Sequence, residues 1–139
     1  MIYLFSEQIK FDYPNPDKLI SWIIFTAANE GFKTGDINII FSTDEYLYDL
    51  NRIYLNHDYY TDVITFPYNE PNKISGDIFI SIERVKENAQ TYNTTFLNEL
   101  NRVIIHGILH LIGYNDKTEE EQKIMRQKED FYLQKLQEL

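Results

Sequence analysis

The stretch from Phe96 to Ile112 restricts the fold of this chain more than any other, because its second half is apolar on nearly every side. A helix of that composition cannot lie on a surface with only one face buried. Other elements must enclose it, so the sequence predicts a helix in the middle of the molecule.

Secondary structure around this helix can be predicted from residue patterns. Four segments rich in β-branched and aromatic residues are predicted strands, namely 2–5, 36–42, 62–66 and 77–82, with 71–76 as a loop. Amphipathic spacing and capping residues predict further helices at 17–30, 44–55, 83–92 and from Thr118 toward Leu139. In the helix 44–55, four apolar residues are expected to share one side: Leu47, Leu50, Ile53 and Tyr54.

The order of these elements predicts an α+β fold. No repeat, low-complexity tract or long linker divides the 139 residues. We therefore expect residues 1–139 to form a single domain, with a mixed sheet of about four strands, a buried central helix and surrounding helices.

The absence of cysteine excludes disulfide scaffolds, thiolate zinc ribbons, iron–sulfur clusters and cysteine nucleophiles. Any metal must be bound by His, Asp or Glu. The longest apolar stretches, Trp22 to Phe25 and Val103 to Ile105, fall far short of the roughly 20 residues that a membrane-spanning helix needs. Residues 1–7 also lack the basic flank of a signal peptide, so a cytoplasmic protein without a membrane partner is expected.

The candidate site lies in the apolar helix, where His106 and His110 are one turn apart. Side chains at i and i+4 project from one face, so both rings can bind one ion. Gly113 can end the helix in a turn that carries Asp116 back toward them. Two imidazoles and a carboxylate would leave one open position on a tetrahedral zinc ion. The central helix is therefore predicted to bind one Zn²⁺ through His106, His110 and Asp116.

Two core histidines satisfied by backbone carbonyls are the alternative to a metal site. Burying each imidazole costs about 1 to 3 kcal/mol unless it is hydrogen-bonded or coordinated, and ligation would compensate both at once. Gly107 follows the first histidine, where a zinc peptidase of the His-Glu-x-x-His type has its general base. That difference argues against a protease, and Gly107 is instead interpreted as a point of close packing.

Three ordered segments of the chain resemble the YbeY family of bacterial rRNA maturation factors, which are zinc-dependent endoribonucleases. They are His106 to Tyr114 with Asp116, Leu50 to Pro67 with its Thr61-Asp62-Val63-Ile64-Thr65-Phe66 string, and Gly76 to Ser81. The resemblance implies a single-strand-specific endoribonuclease that processes the 3′ end of small-subunit rRNA and acts in ribosome quality control. It also implies that His106, His110 and Asp116 are the zinc ligands, although family members usually have a third His at the last position.

A second departure from the family concerns positive charge, because Leu55 stands where members usually have Arg. Arg102, one turn before His106, is considered as a substitute, with an ion pair to Glu99 or another acid as its alternative role. The general base is left unassigned: Asp62 or Asp77 could face a cleft or simply cap a turn. His57 is expected to be a surface residue.

The chain carries 13 basic and 22 acidic residues, a net charge of −9, which argues against binding nucleic acid through a broadly basic surface. The expected partners are rRNA and the small ribosomal subunit, reached with the help of a protein, and no small-molecule cofactor is expected. Two other functions stay open at this point: a zincin-like metallopeptidase and a non-catalytic, zinc-containing ribosome assembly factor.

Overall fold

The computed structural model describes residues 1–139 and has four strands and five helices. In chain order they are β1 (Ile2–Ser6), α1 (Pro16–Asn29), β2 (Lys33–Ser42), α2 (Asp44–Leu55), β3 (Val63–Pro67), β4 (Lys73–Ser81), α3 (Ile82–Thr91), α4 (Phe96–Ile112) and α5 (Glu119–Glu138). The predicted α+β class is confirmed. None of the helices combines the length and the apolar character needed to cross a membrane.

The four strands form one mixed sheet in the order β1-β2-β4-β3. Strands β1, β2 and β4 run parallel, and β3 is antiparallel to β4 with Thr65 opposite Ile78. The prediction of a loop over 71–76 is wrong from residue 73 onward, because β4 begins at Lys73. Lys73 pairs with Lys33 of β2, and this backbone pairing extends both strands through residues whose side chains gave no strand signal.

Helix α4 lies across the sheet, as its composition predicts, and ten of its 17 residues are buried. It packs tightly on the sheet at Gly107, where an added Cβ atom would lie 2.8 Å from Cγ2 of Ile78. The interpretation of Gly107 as a point of close packing is thus confirmed. This contact fixes the height of the helix above β4, and with it the position of the histidines on either side of Gly107.

The four apolar residues that the sequence places on one side of α2 are not all buried. Leu47 is fully buried, but Ile53 and Tyr54 are 65% and 67% exposed. The second buried position of the helix is Asn51, four residues after Leu47 and therefore on the same face. A buried amide that holds the following loop occupies the place where the apolar pattern required a hydrophobic residue.

Candidate metal centre

His106 and His110 project from one face of α4, in the part of the helix whose other faces are buried in the core. Their Nε2 atoms lie 3.0 Å apart, and the ring planes meet at 82°. The two side chains are 21% and 25% exposed, so the rings are partly buried but reach solvent. The helix thus presents both nitrogens to one small volume.

A tight turn after α4 brings Asp116 to the same point. Gly113 ends the helix at φ 124°, a conformation that favours glycine, and the N–H of Tyr114 donates to the carbonyl of Leu109 at 3.0 Å. Asp116 Oδ2 then lies 3.1 Å from Nε2 of His106 and 3.4 Å from Nε2 of His110. The structure therefore brings together the three residues that the sequence selected.

The hydrogen bonds behind the rings determine which nitrogen faces inward. Nδ1 of His110 donates to the carbonyl oxygen of Tyr114 at 2.9 Å, because a carbonyl can only accept. Nδ1 of His106 lies 2.7 Å from Oε2 of Glu129 and donates to that carboxylate. With both Nδ1 atoms protonated, each neutral ring turns an unprotonated Nε2 toward Asp116.

This donor set fits a divalent metal ion. The two Nε2 atoms and Oδ2 of Asp116 lie 3.0 to 3.4 Å from one another. Because all three atoms carry lone pairs, they repel each other unless a positive charge lies among them. Ligands at about 2.0 to 2.1 Å from a tetrahedral ion are about 3.3 to 3.4 Å apart, within a few tenths of an ångström of these separations. Hydrogen bonds from the outer ring nitrogens to a carboxylate and a carbonyl are the usual support for such ligands.

The titration of the two histidines differs because only one faces a carboxylate from behind. Burial disfavours the charged ring of His106, but the hydrogen bond and charge of Glu129, helped by Asp116, raise its pKa above the ordinary value. Burial and the neighbouring charge of His106 lower the pKa of His110. Glu129 therefore favours the charged form of His106.

Arg102 takes the second of the roles considered for it, an ion pair, and its partners come from α5. It donates to Glu129 at 2.9 Å and to Asp130 at 2.8 Å. Against the penalty of burial, the hydrogen bonds to His106 and Arg102 lower the pKa of Glu129. Arg102 therefore positions the Glu129 carboxylate, which in turn orients the His106 ring. The guanidinium is already paired with Glu129 and Asp130.

Two cavities of about 630 and 540 Å³ meet at His106 and Asp116, and His110 lines the smaller one. Both are lined by His106, Asp116, Val63 and Asp62. Leu55, His57, Tyr59 and Lys117 lie along the smaller cavity, whereas Arg102, Lys123, Arg126 and Glu129 are among the residues along the larger one. The metal centre thus opens on a trough that continues in two directions.

The two candidate bases are separated by the structure. Asp62, just before β3, lines both cavities and accepts a hydrogen bond at 3.3 Å from Asn88 of α3. Burial raises its pKa, although the charge of His106 opposes the shift. Asp77 instead binds Asn38 and Tyr68 at 2.9 and 2.8 Å and lines neither cavity. Asp62 is thus the acid that faces the site.

Sequence reasoning missed Glu129, which lies 23 residues after His106. The sequence does contain a signal for this residue, because one acid interrupts an apolar line on the buried face of α5. That line, at three- and four-residue spacing, consists of Met125, Glu129, Tyr132 and Leu136. An acid in such a line needs a partner inside the protein, and a nearby pair of histidines is a natural one.

Residues 2–137 match the family model for Endoribonuclease YbeY. A protein named Endoribonuclease YbeY from Parabacteroides distasonis is 50% identical over 129 residues, which cover 93% of this chain and 91% of that protein. One of the same name from Cytophaga hutchinsonii is 48% identical over 133 residues, with 95% and 93% covered.

The fold also matches a solved structure. The solution structure of TM1509 from Thermotoga maritima superimposes with a TM-score of 0.69 at 30% sequence identity. The match covers 98% of this chain and 89% of that one. The similarity therefore includes the helices that carry the metal-site residues as well as the sheet.

Proposed function

Because the chain belongs to the endoribonuclease YbeY family, we propose that it is a metal-dependent endoribonuclease that cleaves single-stranded RNA in rRNA processing. Residues 1–139 act as one hydrolase domain. The observation that carries this proposal is the convergence of His106, His110 and Asp116 at the meeting point of two open cavities. A site buried on all sides could support a structural metal, but only an open one admits a substrate.

We propose zinc as the metal, with His106, His110 and Asp116 as its ligands. Two imidazole nitrogens and one carboxylate oxygen are a common set for catalytic zinc and leave a fourth position free. Zinc in such a site supplies a Lewis acid and lowers the pKa of bound water toward 7. The hydrogen bonds from His106 to Glu129 and from His110 to the Tyr114 carbonyl hold both rings in the ligating tautomer.

The chain's own residues supply the proton transfer. In hydrolysis the attacking oxygen of water forms a bond to phosphorus, loses a proton and displaces the oxygen of the next nucleotide. Asp62 lines both cavities beside the donors and accepts that proton. Lys117, exposed along the smaller cavity, provides positive charge where Leu55 provides none.

A peptidase is not favoured by this geometry. The residue after the first histidine, where a peptidase of the His-Glu-x-x-His type has its general base, is Gly107. That position faces Ile78 of the sheet at a distance that leaves no room for a side chain. The open trough likewise gives no support to a purely structural zinc.

The small-subunit rRNA is the proposed substrate, reached in the cytoplasm with the help of a protein partner. The net charge of −9 supports this delivery, because a chain with so few cations gains little from the release of counterions around RNA. Binding to free RNA is therefore expected to be weak and sensitive to salt.

The test uses the purified protein, stripped with a chelator and reloaded with zinc, and a labelled RNA presented single-stranded or annealed to its complement. We expect cleavage of the single strand, little cleavage of the duplex, and loss of activity in His106→Ala and His110→Ala. Labelled casein should stay intact. Cleavage of casein, or RNA cleavage that survives both substitutions, would refute the proposal.

A further inference from the structure

An aromatic pair lies in the smaller cavity beside the metal centre. His57 and Tyr59, in the loop between α2 and β3, line this 540 Å³ cavity together with His106, His110 and Asp116. Both side chains are exposed, Tyr59 to 54%. A tyrosine ring at the surface beside a reactive centre is available to a ligand that the fold itself does not provide.

The pair is held in place before any ligand binds. The rings of His57 and Tyr59 are stacked with centroids 5.1 Å apart and planes at 19°, and the Tyr59 hydroxyl lies 3.0 Å from Nδ1 of His57. The loop that carries them is fixed by Asn51, which is only 2% exposed. Its carbonyl accepts from the N–H of His57 at 3.0 Å, and its side chain donates to the carbonyl of Tyr59 at 3.0 Å.

We propose that His57 and Tyr59 form a stacking subsite for one unpaired nucleobase next to the phosphodiester at the metal centre. The inference rests on the proposed function, because it assumes that the trough takes RNA. It adds a binding contact and a source of strand selectivity to that function. The flat ring pair takes the base, while the sugar and phosphate continue toward His106 and Asp116.

Stacking explains how so acidic a chain can hold RNA. The stacking of a base on an aromatic ring contributes without positive charge and tolerates any base, since each has a π face. It also selects single strands, because the bases of a duplex are already stacked on one another and do not project toward a protein surface. The preformed pair loses little side-chain freedom on binding, which keeps its contribution to affinity high.

Other exposed tyrosines lie outside the cavity and serve as comparisons. Tyr54 is 67% exposed at the end of α2 but does not line the cavity. The hydroxyl of Tyr60 donates to Glu45 at 2.7 Å, and its ring stacks on Tyr48. If any surface aromatic residue strengthened RNA binding, Tyr54 would contribute as much as Tyr59. The proposed subsite predicts instead that, among these tyrosines, only Tyr59 contributes.

The experiment measures the binding of a short fluorescein-labelled single-stranded RNA by anisotropy, in EDTA so that no cleavage occurs. Tyr59→Leu should weaken binding by about 5- to 150-fold, the range expected for one base stacked on one ring. Tyr59→Phe keeps the ring but loses the hydrogen bond to His57, so it should retain most of the affinity and bind far more tightly than Tyr59→Leu. His57→Leu should bind more weakly than the wild type, and the matched control Tyr54→Leu should be unchanged.

A second measurement tests the stacking itself. A series of RNAs that each lack one base should contain one position at which the wild type loses affinity, and Tyr59→Leu should be insensitive at that position. Tyr59→Trp gives an independent readout, because Trp22 is fully buried and RNA should quench only the new indole. Equal affinity of wild type and Tyr59→Leu, or a Tyr59→Trp signal that RNA does not change, would overturn the subsite.

These outcomes can be told apart from failure of the proposed function. If the zinc-loaded wild type cleaves RNA and Tyr59→Leu binds and cleaves equally well, only the stacking subsite is wrong. If the abasic series identifies Tyr59 but no RNA is cleaved by the zinc-loaded protein, the endoribonuclease proposal is wrong and the subsite stands.

Discussion

His106 and Glu129 face each other across helices α4 and α5, with Nδ1 of the ring 2.7 Å from a carboxylate oxygen that is almost completely buried. This contact sets the tautomer of His106 and, through Arg102, ties the last helix of the chain to the candidate metal centre. Contacts of this kind orient a metal ligand without touching the metal.

We predict that Glu129→Gln lowers zinc affinity by about 10-fold and that Glu129→Ala lowers it by up to about 100-fold. The amide can still accept from His106 but lacks the charge, and alanine removes the contact. Competition with a chromophoric chelator measures both. The matched control is Asp130→Asn, which alters the other partner of Arg102 and should bind zinc normally. Unchanged affinity in Glu129→Ala would mean that His106 is oriented without it.

The third donor gives a second prediction. Asp116→Ala should lower zinc affinity sharply, whereas Asp116→His should retain binding, because a third imidazole restores a three-ligand set. Cobalt substituted for zinc provides the readout, since its visible spectrum reports the coordination geometry. Asn115→Ala, in the same turn, is the control and should match the wild type. A cobalt spectrum unaffected by Asp116→Ala would remove this residue from the ligand set.

The sequence predicts the convergence of His106, His110 and Asp116 well because these residues are close together in the chain. His106 and His110 share one helix face by spacing alone, and Gly113 is the residue type that a turn toward Asp116 needs. Burial of α4 follows from its composition. Local geometry therefore determines this part of the structure, and residues 106–116 are sufficient to predict it.

The rest depends on contacts between distant segments. Glu129 meets His106 only after α5 has packed on α4, and its role cannot be deduced from its neighbours in the chain. The strand start at Lys73 depends on pairing with Lys33, and Asn51 is buried in α2 where it donates to the carbonyl of Tyr59 in the following loop. In each case the tertiary partner outweighs the local pattern.

The position of Asp62 gives a third prediction, on catalysis. Asp62→Asn should lower kcat by about 10²- to 10⁴-fold, the usual contribution of a general base, while zinc and RNA affinities stay close to those of the wild type. Wild-type activity should rise as pH increases through the pKa of Asp62, which burial raises, because only the ionised carboxylate accepts a proton. The charged and polar residues that act on the Asp62 carboxyl are His106, Glu99, Glu129, Arg84 and Asn88.

The control for Asp62 is Asp77→Asn, the same substitution in the same sheet but outside both cavities. Although Asp77 lies within β4 and Asp62 just before β3, Asp77→Asn removes the same charge, and it should keep the wild-type rate and pH profile in the RNA cleavage assay. Asp62→Glu should recover part of the activity, because it restores the proton acceptor. If Asp62→Asn cleaves RNA at the wild-type rate, or if it keeps the rise of activity with pH, another group accepts the proton.

Glu30 gives the last prediction, which concerns stability. Its buried carboxylate accepts hydrogen bonds from the hydroxyls of Tyr114 and Tyr132 and from Lys128, and although burial opposes ionisation, these bonds lower its pKa. A lowered pKa stabilises the fold above the unfolded-state value of about 4.3, and this contribution is lost as pH falls through the folded-state pKa. Glu30→Gln should therefore lower the free energy of unfolding, measured in urea, by about 1 to 3 kcal/mol at pH 7 and by less below a pH of about 4. The control is Glu70→Gln, because Glu70 is exposed and has no side-chain hydrogen bond, and it should leave the free energy of unfolding unchanged at both pH values. If Glu30→Gln lowered that free energy equally at both pH values, the ionised carboxylate of Glu30 would not be the source of the stability.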